Sequence, residues 1–172
     1  ITVNSNGYLG NFRTGGGLFN RKIVLNGGSF TNLAGTGFPH STNDSPISLT
    51  AYSYLGANTG SNTLVLNGSI TNVGGVFGLT KAGTGPVELG GATGNTYTGN
   101  TTNASGSLVL NKTSGDAIPG PLFIPGGTVS NALNNQIADT APVTVSGGTL
   151  ALGPNSDTVG VVTLENGTIS GG

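Results

Sequence analysis

The feature that most limits what this chain can fold into is a short segment that keeps returning. Two or three apolar residues alternate with polar ones, Asn, Gly or Ser follows, and then another apolar residue. The segment reads ITVNSNGYL from Ile1, IVLNGGSF from Ile23, LVLNGSI from Leu64, LFIPGGTV from Leu122, VTVSGGTLAL from Val143 and VTLENGTI from Val162. Weaker copies start at Ile47, Val87 and Leu108. Successive starts are 22, 24, 17, 23, 21, 14, 21 and 19 residues apart. Recurrence at about 20 residues marks a solenoid, in which each repeat is one coil that buries its apolar face only by stacking on the next.

Local chemistry separates a β solenoid from a helical one. Apolar spacing of three and four is nearly absent, and 33 glycines fall too often for helix interiors. Val143 and Val145 alternate with Thr144 and Ser146, the period-two pattern of a half-buried strand. Asn-Gly pairs at 6–7, 26–27, 67–68 and 166–167 predict tight turns with positive φ. The expected fold is all-β, a right-handed parallel β-helix of about nine coils, roughly 20 residues per coil. It forms one segment over residues 1–172, expected to be part of a longer repeat protein. An antiparallel sandwich also uses short strands and Asn-Gly hairpins. Recurrence of similar residues near a period of twenty favours the solenoid, because like then stacks on like.

Charge narrows the function. Charged residues are 6% of the chain and the net charge is −1. The five basic residues, Arg13, Arg21, Lys22, Lys81 and Lys112, are scattered and form no patch for nucleic acid. No apolar run is long enough to span a bilayer, so no membrane insertion by this segment is expected. With 34% hydrophobic residues in strand-sized pieces, the chain still carries enough material for a core. The absence of Cys suits a polypeptide exported unfolded. ITVNSNGYLG reads as strand and turn, which places any targeting segment outside these residues. Both ends read as ordinary coils without caps, so further coils or self-association at both β-helix ends are expected.

At Gly78 a more specific pattern begins. The run GLTKAGTGPVELGGATGNTYTGNTTNASGSLVL, residues 78–110, resembles the autotransporter-associated β-strand repeat, also called the passenger-associated transport repeat. Gly78, Leu79, Thr80, Lys81, Gly83 and Gly85 match its first half; Asn95, Thr96, Tyr97, Thr98, Gly99, Thr101 and Thr102 match its second. Three departures stand out: Pro86 before the strand, a GGATGNTYTG stretch about two residues long in excess, and Asn103 at a customarily apolar position. The resemblance implies a passenger region exported and displayed outside a Gram-negative-type cell as a β-helix, a stalk or adhesin scaffold. It attaches no catalytic residues to the repeat.

Chemistry-bearing residues are few, and no catalytic, cofactor-binding or metal-binding residues are assigned. Asp116, Asp139 and Asp157 are spaced 23 and 18 apart and could form a column on neighbouring coils, as Ca²⁺ ligands or as solvated turn acids. His40, Ser41 and Asp44 contain triad residue types within a loop expected over 34–46. Thr14–Gly17 is Gly-rich but lacks the lysine and helix of a phosphate loop. Tyr52, Tyr54 and Tyr97 could form an aromatic platform for sugar or pack in the core or at an edge. Candidate partners are therefore further coils, surface glycans and host or matrix ligands. The competing functions are an extracellular filament subunit stacking head to tail and a carbohydrate-active β-helix enzyme.

Overall fold

Short alternating strands bounded by Gly and Asn leave the chain turning at regular intervals, and those turns wind it into three parallel sheets. A computed structural model describes residues 1–11, 21–32, 40–57 and 62–171. Face one carries Thr2–Asn4, Ile23–Asn26, Ile47–Leu49 and Ile70–Asn72. Face two carries Tyr8–Asn11, Ser29–Asn32, Ser53–Ala57, Leu79–Ala82, Thr101–Asn103, Leu122–Ile124, Val143–Val145 and Val162–Leu164. Face three carries His40–Asn43, Thr63–Leu66, Val87–Gly91, Ser107–Lys112, Thr128–Asn131, Thr149–Gly153 and Thr168–Gly171. Strands of successive coils pair in parallel on every face, as Thr2 with Val24, Thr144 with Thr163, and Val109 with Ser130.

The fold is a parallel β-solenoid of about seven turns with about 22 residues per turn. That corrects the expected nine coils of about 20. The nine starts do not share a face: those at Ile1, Ile23 and Ile47 fall on face one, those at Leu64, Val87 and Leu108 on face three, and the last three on face two. The short steps of 17 and 14 residues are changes of face, because strands on all three sides alternate alike.

Inward positions stack like on like. Ile23, Ile47 and Ile70 form one column; Leu64, Val87, Leu108, Val129 and Leu150 form another, and all are buried. Burial of each such side chain stabilises the fold by about 1.5–3 kcal/mol. The two columns of face two run through Phe30, Leu55, Lys81 and Asn103, and through Leu122, Val143 and Val162.

Glycine serves stacking more than turn geometry. Of the four Asn-Gly pairs, positive φ occurs at Asn6 (65°) and Gly27 (81°), and not at 67–68 or 166–167. A Cβ on Gly68 would fall onto the Ser45 carbonyl, and one on Gly167 would lie 2.5 Å from the Gly148 oxygen. At these two corners adjacent coils approach too closely for any side chain. Pro86 stands one residue ahead of strand Val87–Gly91, where its missing N–H costs no ladder bond, and its carbonyl accepts from the Leu64 N–H at 3.0 Å.

Candidate functional site

Face one ends at Asn72, and beyond it the same wall is built differently. Residues 95–97, 116–118, 136–138 and 157–159 lie above one another without forming a strand. Backbone bonds still cross between these coils, as from the Thr96 N–H to the Ile70 carbonyl and from the Ala138 N–H to the Ile118 carbonyl, both at 2.9 Å, and side chains add to them. The Asn95 Oδ1 accepts from the Ile70 N–H at 2.9 Å, and its Nδ2 donates to the Ala117 carbonyl at 2.8 Å, joining coils on either side. Gln136 works in the same way on Lys112, accepting its N–H at 2.7 Å and donating to its carbonyl at 2.9 Å. The Asp157 carboxylate accepts the N–H groups of Gln136 (2.8 Å) and Ile137 (3.2 Å) and the Asn131 amide at 2.5 Å. Tyr97 fills the interior where the strand is lost. Its ring is fully buried, and its hydroxyl lies 2.6 Å from the Thr101 hydroxyl. Burial pushes this phenol far above its usual range, against a smaller opposing effect of that hydrogen bond.

Two ammonium groups also enter the interior. The Lys81 Nζ donates to the carbonyls of Gly83 (2.6 Å) and Ser105 (2.7 Å), tying one coil's corner to the next. The Lys112 Nζ donates to the carbonyls of Gly68 (3.2 Å) and Asn67 (3.4 Å), further back along the chain. Desolvation lowers both to about 8. Asn103, stacked on Lys81 and fully buried, donates to the Gly126 carbonyl at 2.9 Å, while its Oδ1 has no partner among the described residues. The departure at Asn103 is thus an inter-coil tie beneath a lysine rather than a packing fault.

The acid column of the sequence is partly real. Asp116 is half-buried, and its carboxyl is held above the usual range by burial and then by the neighbouring carboxylates of Asp139 and Asp157. Asp157 spends its oxygens on backbone N–H groups, and Asp139 is exposed. Among the described residues no three His, Cys, Asp or Glu side chains converge as metal ligands. His40–Asn43 is a strand of face three, so the expected 34–46 loop is overturned at those residues; 34–39 lie outside the described residues, as do Arg13 and Thr14–Gly17. On that strand His40 faces out and Ser41 faces in, fully buried, which parts the triad types across the sheet.

The tyrosines divide. Tyr97 is core, whereas Tyr52 and Tyr54 are 50% and 49% exposed. Tyr54 stands in an outward column of face two that runs Tyr8, Ser29, Tyr54, Thr80, Thr102, Phe123, Thr144 and Thr163. Tyr8 is 69% exposed. Beside this column runs a second, Gly10, Thr31, Gly56 and Ala82, in which only Thr31 rises above a methyl group. Between them lies a cleft of about 320 Å³ lined by Tyr8, Ser29, Thr31, Tyr54, Gly56 and Ala82 among others. Sequence reasoning paired Tyr54 with Tyr52 and missed Tyr8, because 46 residues separate two rings that the winding places two coils apart.

Parallel winding, like-on-like columns and inter-coil amide ties define the class: this is a parallel β-solenoid repeat protein. The chain is 37% identical over 92 residues to the Adhesin BmaC autotransporter of Brucella suis biovar 1 (strain 1330), a match spanning 53% of this chain and 2% of that protein. Homology to an autotransporter adhesin together with the solenoid fold is consistent with an autotransporter-associated repeat protein. No protein-family model and no solved structure matches the chain.

Proposed function

We propose that this chain is a structural β-helical segment of an autotransporter-type passenger, displayed at the bacterial cell surface as a stalk or adhesin scaffold. The observation that carries the reading is the match to an autotransporter adhesin in a chain that winds as a continuous solenoid. The role is structural and binding rather than enzymatic. Asp157 is committed to the backbone, and Ser41 is turned away from His40. Scarcity of charge suits a chain that threads outward unfolded, and folding coil upon coil supplies its own template.

Self-association into a head-to-tail filament is the second reading, favoured by a charge content of 6%, which leaves little repulsion to keep stacked strands apart. Electron microscopy of the purified chain separates the two, discrete short rods against long uniform fibres. The surface reading is tested in Gram-negative cells producing the parent protein. Added protease should remove an epitope placed at Ser114, exposed at a bend between strands, and an epitope protected until the cells are lysed would contradict it.

A further inference from the structure

The cleft on face two has the form of a small-molecule site on an otherwise flat sheet. Two exposed tyrosines, Tyr8 and Tyr54, stand two rungs apart in one column with the small Ser29 between them. Strands in a sheet lie about 4.8 Å apart, so the two Cα atoms are separated by about 9.6 Å. The two side chains offer apolar aromatic faces beside a floor of small residues, a surface on which the C–H groups of a saturated ring can pack. Ser29 and Thr31 set hydroxyls along the floor, and none of the described residues lining the cleft carries a charge. The backbone there is committed elsewhere: the Ser29 N–H donates to the Gly7 carbonyl and the Tyr54 N–H to the Gly28 carbonyl. The volume of about 320 Å³ is at the small end of ligand sites, sufficient for one ring of a chain that continues into solvent.

We infer that this cleft binds a neutral hexopyranose unit of a glycan, held between Tyr8 and Tyr54 with its hydroxyls on Ser29 and Thr31. The inference deepens the adhesin reading by naming a ligand class. Its test uses purified chain in solution, so it can fail while surface display stands. Saturation-transfer NMR with lactose, cellotetraose and chitotetraose as probes should show transfer to the ring C–H protons of at least one. Tyr8→Ala and Tyr54→Ala should each weaken that binding by about fivefold, the loss of one aromatic face. Ser29→Tyr, an outward substitution that fills the gap, should abolish it. Far-UV circular dichroism checks that each variant stays folded.

Three results would overturn the assignment. One is no transfer to any of the probes. Another is binding that survives both tyrosine substitutions, and a third is binding that rises in Ser29→Tyr, which marks a merely adhesive aromatic surface. A concentration-dependent dimer that Tyr54→Ala abolishes, with no sugar bound, would reassign the cleft to a second copy of the chain.

Discussion

The first coils and the last are wound to the same register but closed by different means. Up to Asn72 the first wall is a sheet, and its outward side carries optional ties such as Ser48 to Thr71 at 3.4 Å. From Asn95 onward that wall has no named strand, only scattered backbone bonds between coils, and Asn95, Gln136 and Asp157 supply partners for the N–H groups those bonds leave out. A ladder distributes pairing over every residue of the strand. A stapled wall concentrates it in single side chains, each satisfying two or more buried groups. The same rise per coil is thus obtained with unequal tolerance to substitution.

The largest expected effect follows directly. Gln136→Ala strips the partners from the Lys112 N–H and carbonyl, and Asn95→Ala does so for the Ile70 N–H and the Ala117 carbonyl. Each unsatisfied buried group costs about 1–3 kcal/mol, so each variant should lose about 2–5 kcal/mol in urea titration. A loss no larger than that of Ser48→Ala would remove the distinction between the two walls.

Next comes Gly99→Ala. Gly78 and Gly99, one motif length apart, lie against each other where the sheet gives way to staples, and a Cβ on Gly99 would lie 2.5 Å from the Gly78 nitrogen. Backbone cannot yield there, so a cost of about 1–3 kcal/mol is expected, with thermal unfolding as the readout. An unchanged melting temperature would show that the coils are looser at this corner than described.

The buried lysines sharpen the contrast through pH. Lys81 and Lys112 titrate at about 8 in the fold and near 10.5 when unfolded. Between those values the unfolded chain binds more protons, so stability should rise from pH 8 toward 10.5 and be lost as pH falls through 8. Tyr97 acts oppositely: its phenol stays neutral in the fold beyond its ordinary 10.0, so its contribution to stability declines once the unfolded tyrosine ionises above pH 10. With two lysines set against one tyrosine, the maximum is expected at about pH 10.5, with Lys81→Met flattening the rise below it. A stability curve that falls from pH 8 to 9.5 would refute the buried ammoniums.

Ser48→Ala is the smallest effect, about 1 kcal/mol, because buried Ser48 loses a single 3.4 Å bond to Thr71 while the sheet beneath keeps its own.

Much of the fold was legible because it depends on local alternation. Val143 and Val145, Leu64 and Leu66, Ile23 and Leu25 all announce strands with one face buried, and all three pairs are buried. Which wall a strand joins is not local, and so the starts at Ile47 and Leu64 were counted as two coils when they belong to two walls of one. The staples were hidden for a similar reason. Asn95 and Gln136 look like turn residues in sequence, and their partners lie 22 to 25 residues away. Tyr97 is legible as a motif member and as either platform or core; that it is core follows from the sheet that residues 92–100 do not form. The cleft needed Tyr8 and Tyr54 on one column, which the 21- and 25-residue steps between them set and no single period reveals.

Hydrogen exchange followed amide by amide tests the contrast between the two walls most directly. The N–H groups of Ile70, Lys112, Gln136 and Ile137, each donating to a side chain, should exchange as slowly as those of Leu64 and Leu122, which donate to carbonyls in the coils above. In Gln136→Ala the Lys112 amide should lose its protection first while Leu64 keeps its own. Fast exchange at those four positions in the unaltered chain would contradict the account, because the second half of the solenoid would then be an open wall.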